Sequence, residues 1–105
     1  MGAAPIQQRV VMTDELIKLR HEVYRCASLF HGAMAQYFAA LNSDASAGAV
    51  SGITVTAREA GQDYNAALVA LLKNLKSLPA SEDVSREAER AERTISILSF
   101  EVQRL

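Results

Sequence analysis

An apolar seam with alternating steps of three and four residues recurs in three separate segments, and it constrains this chain more than any other feature. The first seam runs Leu16, Leu19, Val23, Cys26, Phe30, Ala33, Tyr37. The second runs Ala57, Gly61, Tyr64, Leu68, Leu71, Leu75, Leu78, and the third Val84, Ala88, Ala91, Ile95, Leu98, Val102, Leu105. Such steps return to one side of an α-helix over many turns, whereas a half-buried strand alternates by two. The spacing therefore predicts an all-α fold, an antiparallel bundle of three long helices with coiled-coil-like seams over 13–42, 54–78 and 82–105. Completion of that bundle by dimerisation is a further expectation.

Composition narrows the function classes. At 105 residues the chain is long enough for one modest core. With three Phe, three Tyr and no Trp, that core must be mainly aliphatic. Lys and Arg total 11 against 12 acidic residues, and the basic ones are scattered, so no positive footprint for nucleic acid or an anionic membrane stands out. The longest apolar run, Ala66 to Leu72, is too short to span a bilayer. Pro5, Gln7, Gln8 and Arg9 interrupt the place where a secretory signal would carry its apolar stretch. Ile6 stands where N-myristoylation at Gly2 would want Ser or Thr. A single cysteine, Cys26, excludes an intrachain disulfide and suits a reducing, cytoplasmic setting. Its place on the first seam reads as a small buried hydrophobe.

Boundary signals divide the chain. Thr13 followed by Asp14 and Glu15 reads as a helix N-cap with acids in the first turn. The seam fades upstream of Met12, so residues 1–12 are expected to form a flexible or partner-dependent arm, with 13–105 as the helical domain. Beside the main seam Ile17, Tyr24, His31 and Phe38 make a second row, which suggests that the first helix touches two neighbours. Gly32 within it is read as a close helix crossing. The small, polar stretch from Asn42 to Gly52 is read as a connector, and Thr56 with Glu59 as a capping box opening the second helix. The middle of that helix is apolar on all sides, which predicts the central, most buried helix. Pro79 ends it, and Ser81 with Glu82 and Asp83 caps the third.

The third helix has an alternately charged outer face, with Glu82/Arg86 and Glu89/Arg93 at i,i+4 spacing. Small seam residues at the start of one helix, Ala57 and Gly61, are expected beside Phe30, Tyr37 and Phe38 of the first. Ala88 and Ala91 are likewise expected beside Leu71 and Leu75.

Three constellations bear on chemistry. Arg25 and His31, with five residues between them, resemble the R-x4-6-H motif of HEPN-domain ribonucleases, small helical proteins that often dimerise. That resemblance implies an RNA-cleaving pair. In that family the motif lies on a late helix with a polar residue after the Arg, whereas here it lies on the first helix and Cys26 follows. Six helical positions also turn through about 600°, which puts the two side chains on different faces. His21, Glu22, Arg25 and Cys26 offer one i,i+4 ligand pair, Glu22 with Cys26, and lack the E-x-x-H pairs of a di-iron bundle, so no metal or other cofactor is expected. Ile97 and Phe100 share a face off the seam at i,i+3 and read as a partner-binding surface.

The charged third helix, beginning DVSREAERAERT, and the topology of residues 60–105 are similar to the BAG domain, a three-helix cochaperone module that binds the ATPase domain of a heat-shock chaperone. The resemblance implies a chaperone-linked interaction role.

The reading that emerges is a non-catalytic helical interaction protein: an adaptor, small complex subunit or chaperone-like partner. It would bind another protein or itself and neither nucleic acid nor membrane. Partner-binding residues would be Ile6, Val10 and Val11 on the arm and Ile97 and Phe100 on the third helix. An enzyme built on Arg25 and His31 is the alternative. Self-association follows from length, because the first helix with its arm would reach ~55 Å and overhang second and third helices of ~36 Å.

Overall fold

The computed structural model describes residues 13–105. Among these residues are three helices: α1, Asp14–Leu41; α2, Ala47–Ser77; and α3, Glu82–Gln103. Each start is capped by a hydroxyl. Thr13 Oγ1 accepts the Leu16 N–H at 3.2 Å, Ser46 Oγ the Ala49 N–H at 3.1 Å, and Ser81 Oγ the Val84 N–H at 3.1 Å. A cap of this kind is worth about 1 kcal/mol because it satisfies a donor that the helix leaves orphaned. Expected Ile6, Val10 and Val11, together with the rest of the arm, lie outside the described residues.

The three seams are what hold the helices together. All their residues are buried or half-buried. Near the start of α1, Leu16 packs with Leu71 and Leu75 of α2 and Val84 of α3, with Leu19, Val23, Leu78 and Ala88 around them. Further along, Phe30 packs with Leu68 and Leu98, flanked by Val23, Met34, Ala60, Tyr64, Ile95 and Val102. Each large side chain so buried contributes about 1.5–3 kcal/mol. Both α1 and α3 run along α2, while the backbones of α1 and α3 nowhere approach closely. These two meet through side chains: Leu16 with Val84, and Arg20, whose guanidinium donates Nε to Glu87 Oε2 at 2.8 Å and Nη2 to Oε1 at 2.5 Å.

Several expectations are corrected by this packing. The connector is shorter than read, covering only 42–46, because α2 starts at Ala47 and not at the Thr56–Glu59 box. Thr56 Oγ1 instead donates back to the Gly52 carbonyl within the helix. The seam of α2 in fact continues upstream through Ile53 and Val50, both half-buried. Gly48 and Gly52 cost this turn about 1 kcal/mol each in propensity, yet both face open space, and the burial of Val50, Ile53 and Ala57 outweighs them.

Gly32 is not a crossing point either, since a Cβ there would meet nothing within 4 Å. The close approach is at Gly61, where a Cβ would come 2.5 Å from Val102 Cγ2 and 3.1 Å from Phe30 Cε1. Glycine is needed there because all three helices converge on it. The Phe30–Gly61 pairing is as expected, whereas Phe38 is exposed.

One predicted burial also fails. The second row of α1, Ile17, Tyr24, His31 and Phe38, is exposed. Contact with α3 is made by Leu16, Arg20 and Phe30 instead. Helix α2 is the central and most buried of the three, as expected, packed by both neighbours, with Ala66, Val69 and Ala70 left facing outward.

The overhang lies elsewhere than expected. At 1.5 Å per residue α1 is ~42 Å long, α2 ~46 Å and α3 only ~33 Å. Helix α3 is the short element, ending one residue beyond the Val102 that touches Gly61. Helices α1 and α2 continue past it together, over roughly 31–41 and 47–60, as a two-helix tip.

Candidate interaction surface

The polar residues singled out as possible chemistry are distributed around α1. Arg25 is exposed and donates Nε to Glu22 Oε1 at 2.9 Å, with Nη2 on the same oxygen, and the Cys26 thiol donates to that oxygen at 3.3 Å. The Arg25 guanidinium holds the Glu22 carboxyl below its usual range, with the Cys26 hydrogen bond adding to the effect. Burial pushes the Cys26 thiol up, and the Glu22 carboxylate beside it pushes the same way. A thiol held protonated is a poor nucleophile and a poor metal ligand. Among the described residues no three His, Cys, Asp or Glu side chains gather as a metal-holding group.

His31 lies elsewhere on the helix. Its ring stands 5.8 Å from that of Phe30 and 6.2 Å, edge-on, from that of Tyr64. Arg25 thus turns toward Glu22 and Cys26 while His31 turns toward Tyr64, and the helix does not converge them on a common point. Tyr64 is itself pushed up, first by burial and then by the Glu101 carboxylate.

Between α1 and α3 runs a groove floored by Val23, Leu68, Leu71 and Ala91, with a volume of about 180 Å³. Arg20 and Glu87 span it as a strut, which makes it a shallow slot.

The outer side of α3 is where the sequence expectation and the structure meet. Ile97 and Phe100 are 54% and 69% exposed, so nothing among the described residues folds over them. Comparison of the chain with protein-family models, curated proteins and solved structures finds no match. The surface must therefore be read from its own chemistry. The spacing of Ile97 and Phe100 extends in both directions: Arg86, Arg90, Arg93, Ile97, Phe100 and Arg104 follow steps of four and three, the same period as the core seams but on the side of α3 away from its seam, with Arg86 and Arg90 also bordering the groove toward α1. Sequence reasoning identified the apolar pair and missed the row, because the arginines were counted as part of an alternately charged face.

Charges on this face are sorted into lines. Glu89 and Glu92 fall beside the row, while Glu82 stands at its head, four residues before Arg86. Arg86 donates Nη2 to Glu82 Oε1 at 2.6 Å, whereas Arg90, Arg93 and Arg104 make no ion pair among the described residues. The expected Glu89/Arg93 pair does not form. The result is a straight row, arginine-rich at its start and apolar toward its end. No helix among the described residues is long and apolar enough to cross a membrane.

Proposed function

We propose that this protein is a non-catalytic helical interaction module that docks a partner helix along the outer row of α3. One observation carries the reading: Ile97 and Phe100 are exposed large apolar side chains in seam register with Arg86, Arg90, Arg93 and Arg104. A row with the period of a coiled-coil seam is the geometry that a second helix packs against, with i, i+3, i+4 and i+7 contacts. Its arginines favour acidic positions on the partner, and its apolar end supplies the anchor; Arg and aromatic residues are the types most enriched at such anchors. An adaptor, a complex subunit or a chaperone-like protein would each use such a face.

The test is capture with the wild-type chain against Phe100→Asp. Phe100 is exposed, so this variant is expected to keep its helical circular dichroism and lose the captured partner. An identical set of captured proteins would remove Ile97 and Phe100 as the contact. In parallel, wild-type protein is expected to leave single-stranded RNA intact. Cleavage abolished by Arg25→Ala with His31→Ala, in a folded protein, would favour the enzyme reading.

A further inference from the structure

The two-helix tip carries a surface unlike the rest of the molecule. In the 26 residues from Gly32 to Ala57 the only charged side chain is Asp44, although the chain as a whole is 22% charged. The three buried hydrophobic side chains of this segment are all alanines: Ala33, Ala40 and Ala57. Several of its large apolar residues face out, with Phe38 53% and Leu41 50% exposed on α1 and Val55 exposed on α2. Tyr37, Val50 and Ile53 are only half-covered. Small residues inside and large ones outside is the reverse of how a self-sufficient pair of helices is built. Alanines bring two helices close but bury little area.

We infer that the tip is a self-association surface: two copies lay their tips side by side, bodies pointing away from each other, to make a four-helix bundle from two hairpins. Three observations choose a second copy as the occupant. The first is charge. A segment whose one charge is Asp44, bordered by Arg58 and Glu59 near Gly61, pairs best with one equally free of charge; among the described residues α3 and the early turns of α1 are densely charged, and the uncharged outer strip of α2 at Ala66, Val69 and Ala70 is narrower than a second tip. The second is size. One side of a two-helix tip offers contacts from both helices, nearer to what a standard interface uses than the outer row of a single helix supplies.

The third is the space beyond α3. That helix stops at the level of Gly61, leaving α1 and α2 without a third helix above it. A partner tip fills this position, and two hairpins packed together are the smallest arrangement that covers both apolar sides. A bilayer fits less well. The end of the tip is Asn42, Ser43 and Asp44, polar groups that would enter lipid first but stay in water when tips pack side by side.

The surface is separate from the α3 row, so the test distinguishes the two. Light scattering of the full chain from low to several hundred micromolar is expected to show a mass rising from 11.4 kDa toward twice that value. Phe38→Glu and Leu41→Glu, at exposed positions, are expected to return it to the monomer with unchanged helical circular dichroism. Phe100→Asp should leave the dimer intact. A monomer at every concentration would overturn the inference. So would a dimer indifferent to Phe38→Glu, a dimer lost with Phe100→Asp, or a monomer that co-sediments with neutral phosphatidylcholine vesicles through Phe38.

Discussion

On the α3 side of Gly61 the buried positions include Leu16, Phe30, Leu68, Leu71, Leu75, Val84 and Leu98, drawn from three helices; on the other side they are Ala33, Ala40 and Ala57, drawn from two. Both regions obey the same three-and-four spacing. They differ in what the spacing buries. In the base most seam positions remove a large side chain from water, and the two clusters around Leu16 and Phe30 draw on all three helices. In the tip the third element is missing and the large side chains stand on the outer rows. Periodicity therefore sets which residues face a neighbour, whereas side-chain volume sets how much free energy that contact yields. The base can hold its own fold, while the tip depends on the base to keep its two helices together.

The sharpest way to test this contrast is a pair of identical substitutions in α1. Phe30→Ala empties a fully enclosed site in the base and should cost about 3–5 kcal/mol. Phe38→Ala, at an exposed site in the tip, should cost under about 0.5 kcal/mol in dilute solution, as exposed substitutions do. Urea unfolding of both variants at low micromolar concentration reads the difference, and comparable losses would break the distinction.

The junction should respond next. Gly61→Val places a branched side chain where Val102 Cγ2 and Phe30 Cε1 already converge, and about 2–3 kcal/mol is expected from overpacking. Hydrogen exchange in the same variant should show tip amides opening as before and base amides opening sooner. A uniform change would mean that the two regions unfold as one.

Arg20→Ala removes the strut between α1 and α3. The pair is bidentate but about a quarter exposed at each side chain, so the loss should be about 1 kcal/mol. Tip exchange should be untouched.

The smallest effect is with pH. Cys26 and Tyr64 both have folded-state pKa values raised by burial. The unfolded chain then releases its protons first, so stability is level below the ordinary thiol range and falls as pH rises through the thiol and then the phenol range. Thermal melts from neutral to alkaline pH give the slope. In the same samples Cys26 should react with iodoacetamide far more slowly than the thiol of the unfolded chain.

Most of the base was legible in the residue order. The seams through Leu16 to Tyr37 and Val84 to Val102 predicted two helices within a residue or two of their observed ends, apart from the fraying after Gln103, because a hydroxyl cap and a long periodic run act locally and agree. The early start of α2 was obscured by Gly48, Gly52 and the Ser-rich composition, whose local cost is overridden by contacts made across the bundle. Ile97 and Phe100 were found by their mismatch with the seam. The arginines of the same row were not, since charge alternation along the chain hides charge sorting around a helix.

What the sequence by itself determined is the number of helices, their facing rows and the exposed apolar pair on α3, since each depends on spacing within one segment. Only the tertiary structure decided that α1 and α3 are held apart over α2, that Gly61 and not Gly32 is the crossing, and that α3 falls short of the tip. Those outcomes depend on how far each helix extends past its neighbours, a relation between segments that no local pattern encodes. The tip's exposed Phe38 and Leu41 follow from that mismatch in length.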